Sequence, residues 1–159
     1  SCIILMKGII LIKHASTAPG LRLLGIGPNF TPMNGLSKLR SFLNANAFWA
    51  KDRTTQQIKK MLLHSTVVIS LWHENRLIGF GRATSDQVFR ALIWDVVVAS
   101  DRQGHGMGKL ILEAILSSKK IKYVERVYLM TTNSSDFYQQ LGFTVNHKQT
   151  LLIFNKNQN

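Results

Sequence analysis

Residues 95–109 read Asp95-Val96-Val97-Val98-Ala99-Ser100-Asp101-Arg102-Gln103-Gly104-His105-Gly106-Met107-Gly108-Lys109, so an apolar, β-branched segment is followed by a glycine-rich run. The apolar segment, residues 89–99, predicts a strand, and apolar residues at helical spacing after the glycines predict a helix. Glycine lets a backbone N–H turn towards a ligand, and the first turn of a helix offers unpaired N–H donors with a partial positive charge. The run therefore predicts a site for phosphate or pyrophosphate, to which Lys109 adds a formal charge.

Two better-known phosphate motifs do not fit this spacing. A P-loop needs a longer spacing before Gly-Lys-Ser/Thr, and here Lys109 is followed by Leu110. A Rossmann fingerprint needs Gly-x-Gly-x-x-Gly, whereas these glycines alternate singly at 104, 106 and 108. The spacing alone leaves an ordinary glycine-rich turn before a helix as the alternative.

The rest of the chain predicts one domain, residues 1–159, of the α+β (mixed α/β) class. Strand patterns cover residues 2–12, 67–72, 77–83, 89–99 and 124–130, and a final hairpin is predicted for 143–145 and 151–154. Helical patterns cover 36–48, a segment that begins near Thr54 or Thr55, the segment after the glycine run, and 135–141, which Gly142 closes. We expect a largely antiparallel sheet with one parallel crossover after residue 89.

Two further glycine features stand out. Gly79 and Gly81 are two residues apart on one predicted strand, so they share a face that lets another group approach closely. Residues 14–35 are rich in Gly, Pro and Thr and predict a loop-rich connection.

Two side chains near these elements could carry acid–base chemistry. Asp95 is the only acid in its apolar strand, where burial of a carboxylate raises its pKa, and a raised pKa suits a general base. The alternative is an Asp at the sheet edge that faces water or binds a basic neighbour. Tyr138, in the predicted short helix, suits a proton donor to a leaving group; the alternative is a core residue with its hydroxyl at the rim.

The composition limits the classes of partner. With 20 Lys and Arg against 8 Asp and Glu, the net charge is +12. Such a surface attracts polyanions, namely nucleic acid, an anionic membrane or a phosphorylated cofactor, or is simply a solvated basic surface. The single cysteine, Cys2, excludes an internal disulfide, and the five histidines lack the spacing of a metal site. The apolar N-terminal stretch is too short to span a membrane. We therefore expect no metal and no membrane partner, and we do not favour nucleic acid, because aromatics at the spacing of an RNA platform are not evident.

Three motifs resemble, in order and separation, those of the GCN5-related N-acetyltransferase (GNAT) superfamily: Val96-Val97-Val98, Gln103-x-x-Gly106-x-Gly108 and Phe137-Tyr138-x-x-x-Gly142-Phe143. Residues 46–53, 79–86, 93–98 and 124–132 resemble its cyanobacterial and plastid branch, whose plant members are similar to serotonin N-acetyltransferases. The resemblance covers about residues 65–154. It implies a GNAT-like fold, a mostly antiparallel twisted sheet flanked by helices with a V-shaped cofactor cleft.

The resemblance also implies acetyl-CoA as co-substrate and a role for each motif. The backbone of Val96 and Val98 would pair with the pantetheine arm, an N–H near Val96 or Val97 would stabilise the oxyanion, and the amides of residues 104–109 would hold the pyrophosphate. Asp95 would take a proton from the amine, directly or through water, and Tyr138 would protonate the departing thiolate, with no covalent enzyme intermediate. The implied cofactor-binding residues are Val96, Val97, Val98, Gln103, Gly104, His105, Gly106, Met107, Gly108, Lys109, Asn133 and Tyr138. Asn133 is five residues before Tyr138, whereas superfamily members often carry an Asn about seven residues before the tyrosine.

Three functions remain open at this point. The first is an acetyltransferase for arylalkylamines such as serotonin, with Trp49, Trp72, Phe80 and Trp94 as aromatic walls of the acceptor pocket. The second acts on protein lysines or N-terminal amines, and the third is an acyl-CoA or RNA-binding module without catalysis. We expect the protein in a bacterial cytoplasm or, if it is organelle-encoded, in the plastid stroma.

Overall fold

The computed structural model of the protein describes residues 2–6, 8–14 and 35–156. These residues form one sheet in which the six strands lie side by side in chain order. The strands are β1 (Cys2–Met6), β2 (Ile9–Lys13), β3 (Val67–His73), β4 (Arg76–Ser85), β5 (Arg90–Val98) and β6 (Arg126–Leu129). Every neighbouring pair is antiparallel except β5 and β6, which are parallel. The predicted α+β class, with a largely antiparallel sheet and one parallel crossover, is confirmed.

The helices lie where the sequence pattern placed them. They are α1 (Gly35–Asn46), α2 (Thr55–Leu63), α3 (Met107–Leu116) and α4 (Ser135–Gln140), and short 3-10 turns cover Phe48–Ala50 and Ser100–Arg102. The start of α2 is a capping box, because the Thr54 hydroxyl accepts the Gln57 N–H while the Gln57 side chain accepts the Thr54 N–H. No helix of the described ranges is both long and apolar enough to cross a membrane.

The N-terminal stretch 2–12, predicted as one strand, is two strands. Gly8 has a φ of +79° between β1 and β2, a left-handed conformation that lets the chain reverse there. β2 then continues the sheet next to β3. The glycine-rich connection predicted for residues 14–35 falls almost entirely outside the described residues.

The glycine face of β4 receives a helix. A Cβ built on Gly81 would lie 2.5 Å from Cγ2 of Ile111 in α3, and one on Gly79 would lie 3.0 Å from Cδ1 of the same side chain. The predicted close approach is therefore real, and the group that approaches is α3. Because side chains alternate across a strand, Phe80 and Arg82 lie on the opposite face of β4.

The predicted final hairpin is wrong: residues 143–155 contain no strand. The Asn146 side-chain oxygen instead accepts the backbone N–H groups of Lys148 and Gln149, at 2.8 and 3.0 Å. Such a local turn satisfies backbone donors that a hairpin ladder would use. The strand-like residues 151–154 are left 61–87% exposed.

Candidate active site

A bulge interrupts the ladder between β4 and β5. Phe80 pairs with Val97 and Arg82 with Trp94, so the single residue Gly81 faces both Asp95 and Val96. Asp95 adopts a φ of +54°, a left-handed conformation that is uncommon for a residue with a side chain. The sequence pattern gave no sign of this bulge.

The bulge brings Trp94 and Asp95 to the same side of the sheet, where both contact Arg82. The Arg82 Nε donates to Asp95 Oδ2 at 2.8 Å, and its guanidinium carbon lies 5.9 Å from the centre of the Trp94 ring. The indole N–H of Trp94 in turn donates to the Thr84 hydroxyl at 2.8 Å. One face of the β4–β5 pair therefore carries cations and aromatic rings, while the other packs on α3.

Strands β5 and β6 pair over only part of the length of β5. The register runs from Arg90 opposite Arg126 to Ile93 opposite Leu129, and β5 then continues to Val98. On this side, residues 94–98 have no strand partner within the described ranges. An extended ligand can pair with such an edge by backbone hydrogen bonds. The unpaired edge is where the sequence resemblance implied a V-shaped cleft.

The glycine run follows directly from the end of this edge. Gly104 and Gly106 have φ values of +80° and +81°, and a Cβ at either position would meet no atom within 4 Å. Gly106 is the N-cap of α3 and its carbonyl accepts the Leu110 N–H at 3.1 Å. The N–H groups of residues 107–109 precede that first helical hydrogen bond and point out of the helix end. The run therefore has the conformation and the open space that an anion needs.

The other residues of the run that were predicted to bind the cofactor differ in their contacts and exposure. The Gln103 side chain donates to the Val98 carbonyl at 3.4 Å, so it links the run to β5. The Met107 side chain is only 3% exposed and belongs to the core, which leaves its backbone for a ligand. The Lys109 side chain is 60% exposed and its ammonium lies 3.9 Å from the Glu113 carboxylate, and His105 is exposed.

The turn before the run is fastened to β3 and β4 by polar contacts. The Arg76 guanidinium forms two hydrogen bonds with the Asp101 carboxylate, at 2.6 and 2.8 Å, and this pairing lowers the pKa of Asp101 to about 2. The Arg102 guanidinium lies 2.8 Å from His73 Nδ1. These contacts fix the turn from which the glycine run starts.

Helix α4 meets α3 at a third glycine of the run. A Cβ on Gly108 would lie 2.9 Å from Cζ of Phe137, so the missing side chain gives that ring its place. The next residue along α4 is Tyr138, whose ring packs edge-on against Phe137 and Phe143 at centroid distances of 5.1 and 5.9 Å. Partial burial raises the pKa of the Tyr138 phenol, which therefore stays protonated at neutral pH.

The end of α4 has the predicted cap. Gly142 has a φ of +100°, its N–H donates to the Gln139 carbonyl, and the Phe143 N–H donates to the Tyr138 carbonyl. This pair of hydrogen bonds is a Schellman motif. Asn133 lies in the turn between β6 and α4, where its side-chain oxygen accepts the Ser134 hydroxyl at 3.3 Å, and its contact with a coenzyme stays a prediction.

The Asp95 carboxylate is 4% exposed and receives four hydrogen bonds. Burial acts to raise its pKa and is the largest single influence, but the hydrogen bonds and charges of Arg53 and Arg82 together outweigh it. The pKa of Asp95 therefore lies below its ordinary value. The predicted raised pKa is wrong, and with it the reason for which a general base was assigned to this residue.

Sequence reasoning did not connect Asp95 with its hydrogen-bond partners. Arg53 and Trp49 come from the connection between α1 and α2, more than forty residues away, and Arg82 from β4. The available signal was that the stretches 46–53 and 79–86, singled out for their resemblance, each contain an arginine. No sequence spacing links these arginines to the aspartate.

The four aromatic residues predicted as acceptor walls divide into two pairs. Trp72 and Phe80 are 1% and 0% exposed and belong to the core, so the prediction is wrong for them. Trp49 is 48% exposed and Trp94 is half-buried, so both remain available to a ligand. Within the described part of the chain, no group of three His, Cys, Asp or Glu residues could hold a metal ion.

Comparison with known proteins places this arrangement in a family. An uncharacterized N-acetyltransferase of Porphyra purpurea, ycf52, is 39% identical over 100 residues, which cover 60% of this chain and 57% of that protein. GCN5-related N-acetyltransferase 1, chloroplastic, of Arabidopsis thaliana is 34% identical over 111 residues, 68% of this chain and 55% of that protein. The aligned region thus spans less than two thirds of either relative.

A GNAT family acetyltransferase from Streptococcus pneumoniae superposes with a TM-score of 0.70 over 94% of this chain and 99% of that one. At 18% identity the superposition shows a shared fold. The family model of the acetyltransferase (GNAT) domain matches residues 64–145. Because that match covers more than half of the sequence, the chain belongs to the GNAT acetyltransferase family, whose members generally use acetyl-CoA.

Proposed function

We propose that the chain transfers the acetyl group of acetyl-CoA to a primary amine by direct attack, and that the acceptor is an arylalkylamine such as serotonin or tryptamine. The observation that carries the proposal is that three structural features follow one another from the end of β5 to the start of α3. The bulge, the unpaired β5 edge and the open glycine run follow one another within residues 95–109.

These features suit successive parts of acetyl-CoA. The N–H groups of residues 104–109 would hold the pyrophosphate, and the backbone of Val96 and Val98, which has no strand partner on the β6 side of the described sheet, would pair with the pantetheine arm. The thioester carbonyl would then lie near the bulge, where the N–H of Val96 or Val97 would stabilise the oxyanion. The charge of Lys109 and the partial positive charge at the start of α3 add to the attraction for phosphate.

The chemistry then needs one proton donor at the leaving group. The amine lone pair forms the new C–N bond, the C–S bond breaks, and the thiolate takes a proton from the Tyr138 hydroxyl. The raised pKa of Tyr138 keeps the phenol protonated until the thiolate forms. The proton that the amine loses passes to solvent water, and the Tyr138 phenolate regains its proton from solvent.

The choice of acceptor follows from the face of the sheet opposite α3. Phe48 and Trp49 are 64% and 48% exposed and pack edge to face at 5.1 Å, next to the bulge residue Asp95. The side chains of Arg53, Arg82 and Asp95 together carry one net positive charge. Exposed rings favour an aromatic acceptor, and the net positive charge disfavours a polycation such as a polyamine.

The location is proposed from the relatives. The Arabidopsis relative carries the word chloroplastic in its name. That name supports the plastid stroma as the place where the protein works, with a bacterial cytoplasm as the alternative.

The test combines binding with turnover. Calorimetric titration with acetyl-CoA is followed by a thiol-release assay on tryptamine, spermidine and a lysine peptide. We expect binding, and turnover on tryptamine above the other two. Turnover on the peptide alone would mean that the acceptor is a protein amine and not an arylalkylamine. Absence of acetyl-CoA binding would overturn the proposal.

The role of Tyr138 has its own variant. We expect Tyr138→Phe to lower kcat by about 10²–10⁴-fold and to leave the acetyl-CoA Kd unchanged, because the phenol hydroxyl is the proton donor. The matched control is Tyr123→Phe, since Tyr123 is 80% exposed and lies in the loop after α3. A kcat that Tyr138→Phe leaves at the wild-type value would remove the tyrosine from the acid role.

A further inference from the structure

We infer that Asp95 is a positioning residue that fixes the connection between α1 and α2 against the β5 bulge, and that this connection, through Trp49 and Arg53, determines the specificity for the acceptor amine. The inference rests on the proposed function, because it deepens the role of the same site. It also replaces the assignment of Asp95 as general base.

The first step is the occupancy of the carboxylate. Asp95 Oδ1 accepts the Trp49 indole N–H at 2.8 Å and Arg53 Nη2 at 3.2 Å. Asp95 Oδ2 accepts Arg53 Nη1 at 2.9 Å and Arg82 Nε at 2.8 Å. An ionised carboxylate has about four lone-pair sites, and four donors occupy them. No lone pair is left to take a proton from an amine.

The second step is what the carboxylate holds. The 3-10 turn Phe48–Ala50 and the residues up to Arg53 are fastened to α1: the Asp52 N–H donates to the Asn44 side chain at 2.9 Å, and Arg40 Nε donates to the Arg53 carbonyl at 3.2 Å. These contacts join the connection to its own helix. The hydrogen bonds of Trp49 and Arg53 to Asp95 join it to the sheet, at the bulge itself.

The third step is the conformation of Asp95. Its φ of +54° costs free energy for a residue with a Cβ and persists only when the surroundings hold it. Three side chains donate hydrogen bonds to its carboxylate, two from the connection and one from β4, and so they converge on it from separate parts of the chain. One carboxylate therefore sets the distance between the exposed rings of Phe48 and Trp49 and the backbone of Val96, where the oxyanion would form.

The substitution that isolates this role is Asp95→Asn. Asn tolerates a positive φ better than other residues, so the bulge can persist while the negative charge is lost. With tryptamine as the probe, we expect the KM for the amine to rise roughly tenfold or more, because charge-assisted hydrogen bonds to both arginines are lost. The KM for acetyl-CoA stays within about twofold, and the acidic limb of the pH–rate profile persists.

Two companions sharpen the comparison. Trp49→Phe keeps an aromatic ring and removes the indole donor, so it reproduces part of the rise in the KM for the amine. Glu125→Gln is the control, because it breaks an exposed arginine–carboxylate pair with Arg90, 2.9 Å apart, away from the bulge. A large loss of kcat with loss of the acidic limb and an unchanged amine KM would restore the base role. An equal rise in both KM values would mean that Asp95 merely supports the fold. Either result overturns the inference.

A second measurement does not depend on turnover. Hydrogen exchange of the amides of residues 48–53 should become roughly tenfold faster in Asp95→Asn, while the amides of α3 keep their wild-type protection. If no amine is acetylated, the proposed function fails, but this exchange still tests the positioning role. Unchanged exchange in residues 48–53 would overturn the inference with the proposed function intact.

Discussion

Replacing Gly81 with alanine tests how closely α3 must approach the sheet. The added Cβ would lie 2.5 Å from Ile111 Cγ2 and 3.3 Å from Ile115 Cδ1. Carbon atoms in ordinary contact are about 3.5–4.0 Å apart, so α3 or β4 must move by roughly 1 Å. Overpacking of this kind costs about 1–3 kcal/mol, and the alanine regains about 0.5–1 kcal/mol by restricting the unfolded chain. The net destabilisation is therefore between about 0 and 2.5 kcal/mol, with a centre of about 1 kcal/mol.

Thermal unfolding gives the first measurement. For a chain of this length, a net loss of about 1 kcal/mol corresponds to a fall in Tm of roughly 2–4 °C. Since α3 begins at the glycine run, the same displacement should weaken acetyl-CoA binding measured by calorimetry. Gly79→Ala is the matched control, because its Cβ would lie 3.0 Å from the methyl ends of Ile111 and Leu71 and 3.2 Å from the Leu71 Cβ, so its neighbours need to give by only a few tenths of an ångström. A Gly81→Ala protein as stable as Gly79→Ala would refute the reasoning.

The remaining predictions concern the glycine run and the buried carboxylate. Gly106→Val should weaken acetyl-CoA binding at least tenfold, because a branched side chain is strained at a φ of +81° and would stand in the proposed pyrophosphate site; Gln87→Val, at a φ of +67° in the exposed β4–β5 turn, is the control and should bind normally. Equal binding by both variants would contradict the placement. Because the pKa of Asp95 is depressed in the fold, its contribution to the free energy of unfolding is full above the ordinary pKa of about 3.9 and is lost as the pH falls through the lower folded value. When the pH is lowered from 5 to below the folded pKa of Asp95, the free energy of unfolding measured in urea should therefore fall more for wild type than for Asp95→Asn. Parallel falls would show that the carboxylate is not stabilised by its partners.

The glycine run could be predicted from the sequence because its requirements are local. A glycine at 104 or 106 permits a positive φ, and the apolar spacing that follows places the helix start beside it. The same holds for the Thr54 cap and for the Gly142 cap. In each case the residue that makes the structure also marks it in the sequence.

The final hairpin failed because strand propensity describes a residue that fits a pleated, half-buried surface, and such a surface needs a partner. Residues 151–154 have the composition but remain exposed. The competing local turn at Asn146 was available to the chain at short range. The sequence pattern contained both signals and did not rank them.

The glycine pair of β4 shows a milder failure. The spacing of Gly79 and Gly81 correctly predicted a face without side chains, but not which group would use it. Its occupant, Ile111, lies thirty residues further along the chain, in the helix that carries the glycine run. A ligand and a helix make the same demand on a strand, namely the absence of a Cβ.

Asp95 shows why a buried acid cannot be assigned a role from its strand alone. Burial by itself raises the pKa of a carboxylate and suits a base, whereas burial with two guanidinium groups lowers the pKa and suits an anchor. Which case applies depends on Arg53 and Arg82, and no local pattern around residue 95 reports them. The composition nevertheless favours the second case. With 20 basic residues against 8 acidic ones, a buried carboxylate in this chain can pair with many cations and has few acidic competitors for them. An excess of one charge thus makes each rare opposite charge a point where distant parts of the chain meet, and in this fold that point lies at the bulge beside the proposed acetyl-transfer site.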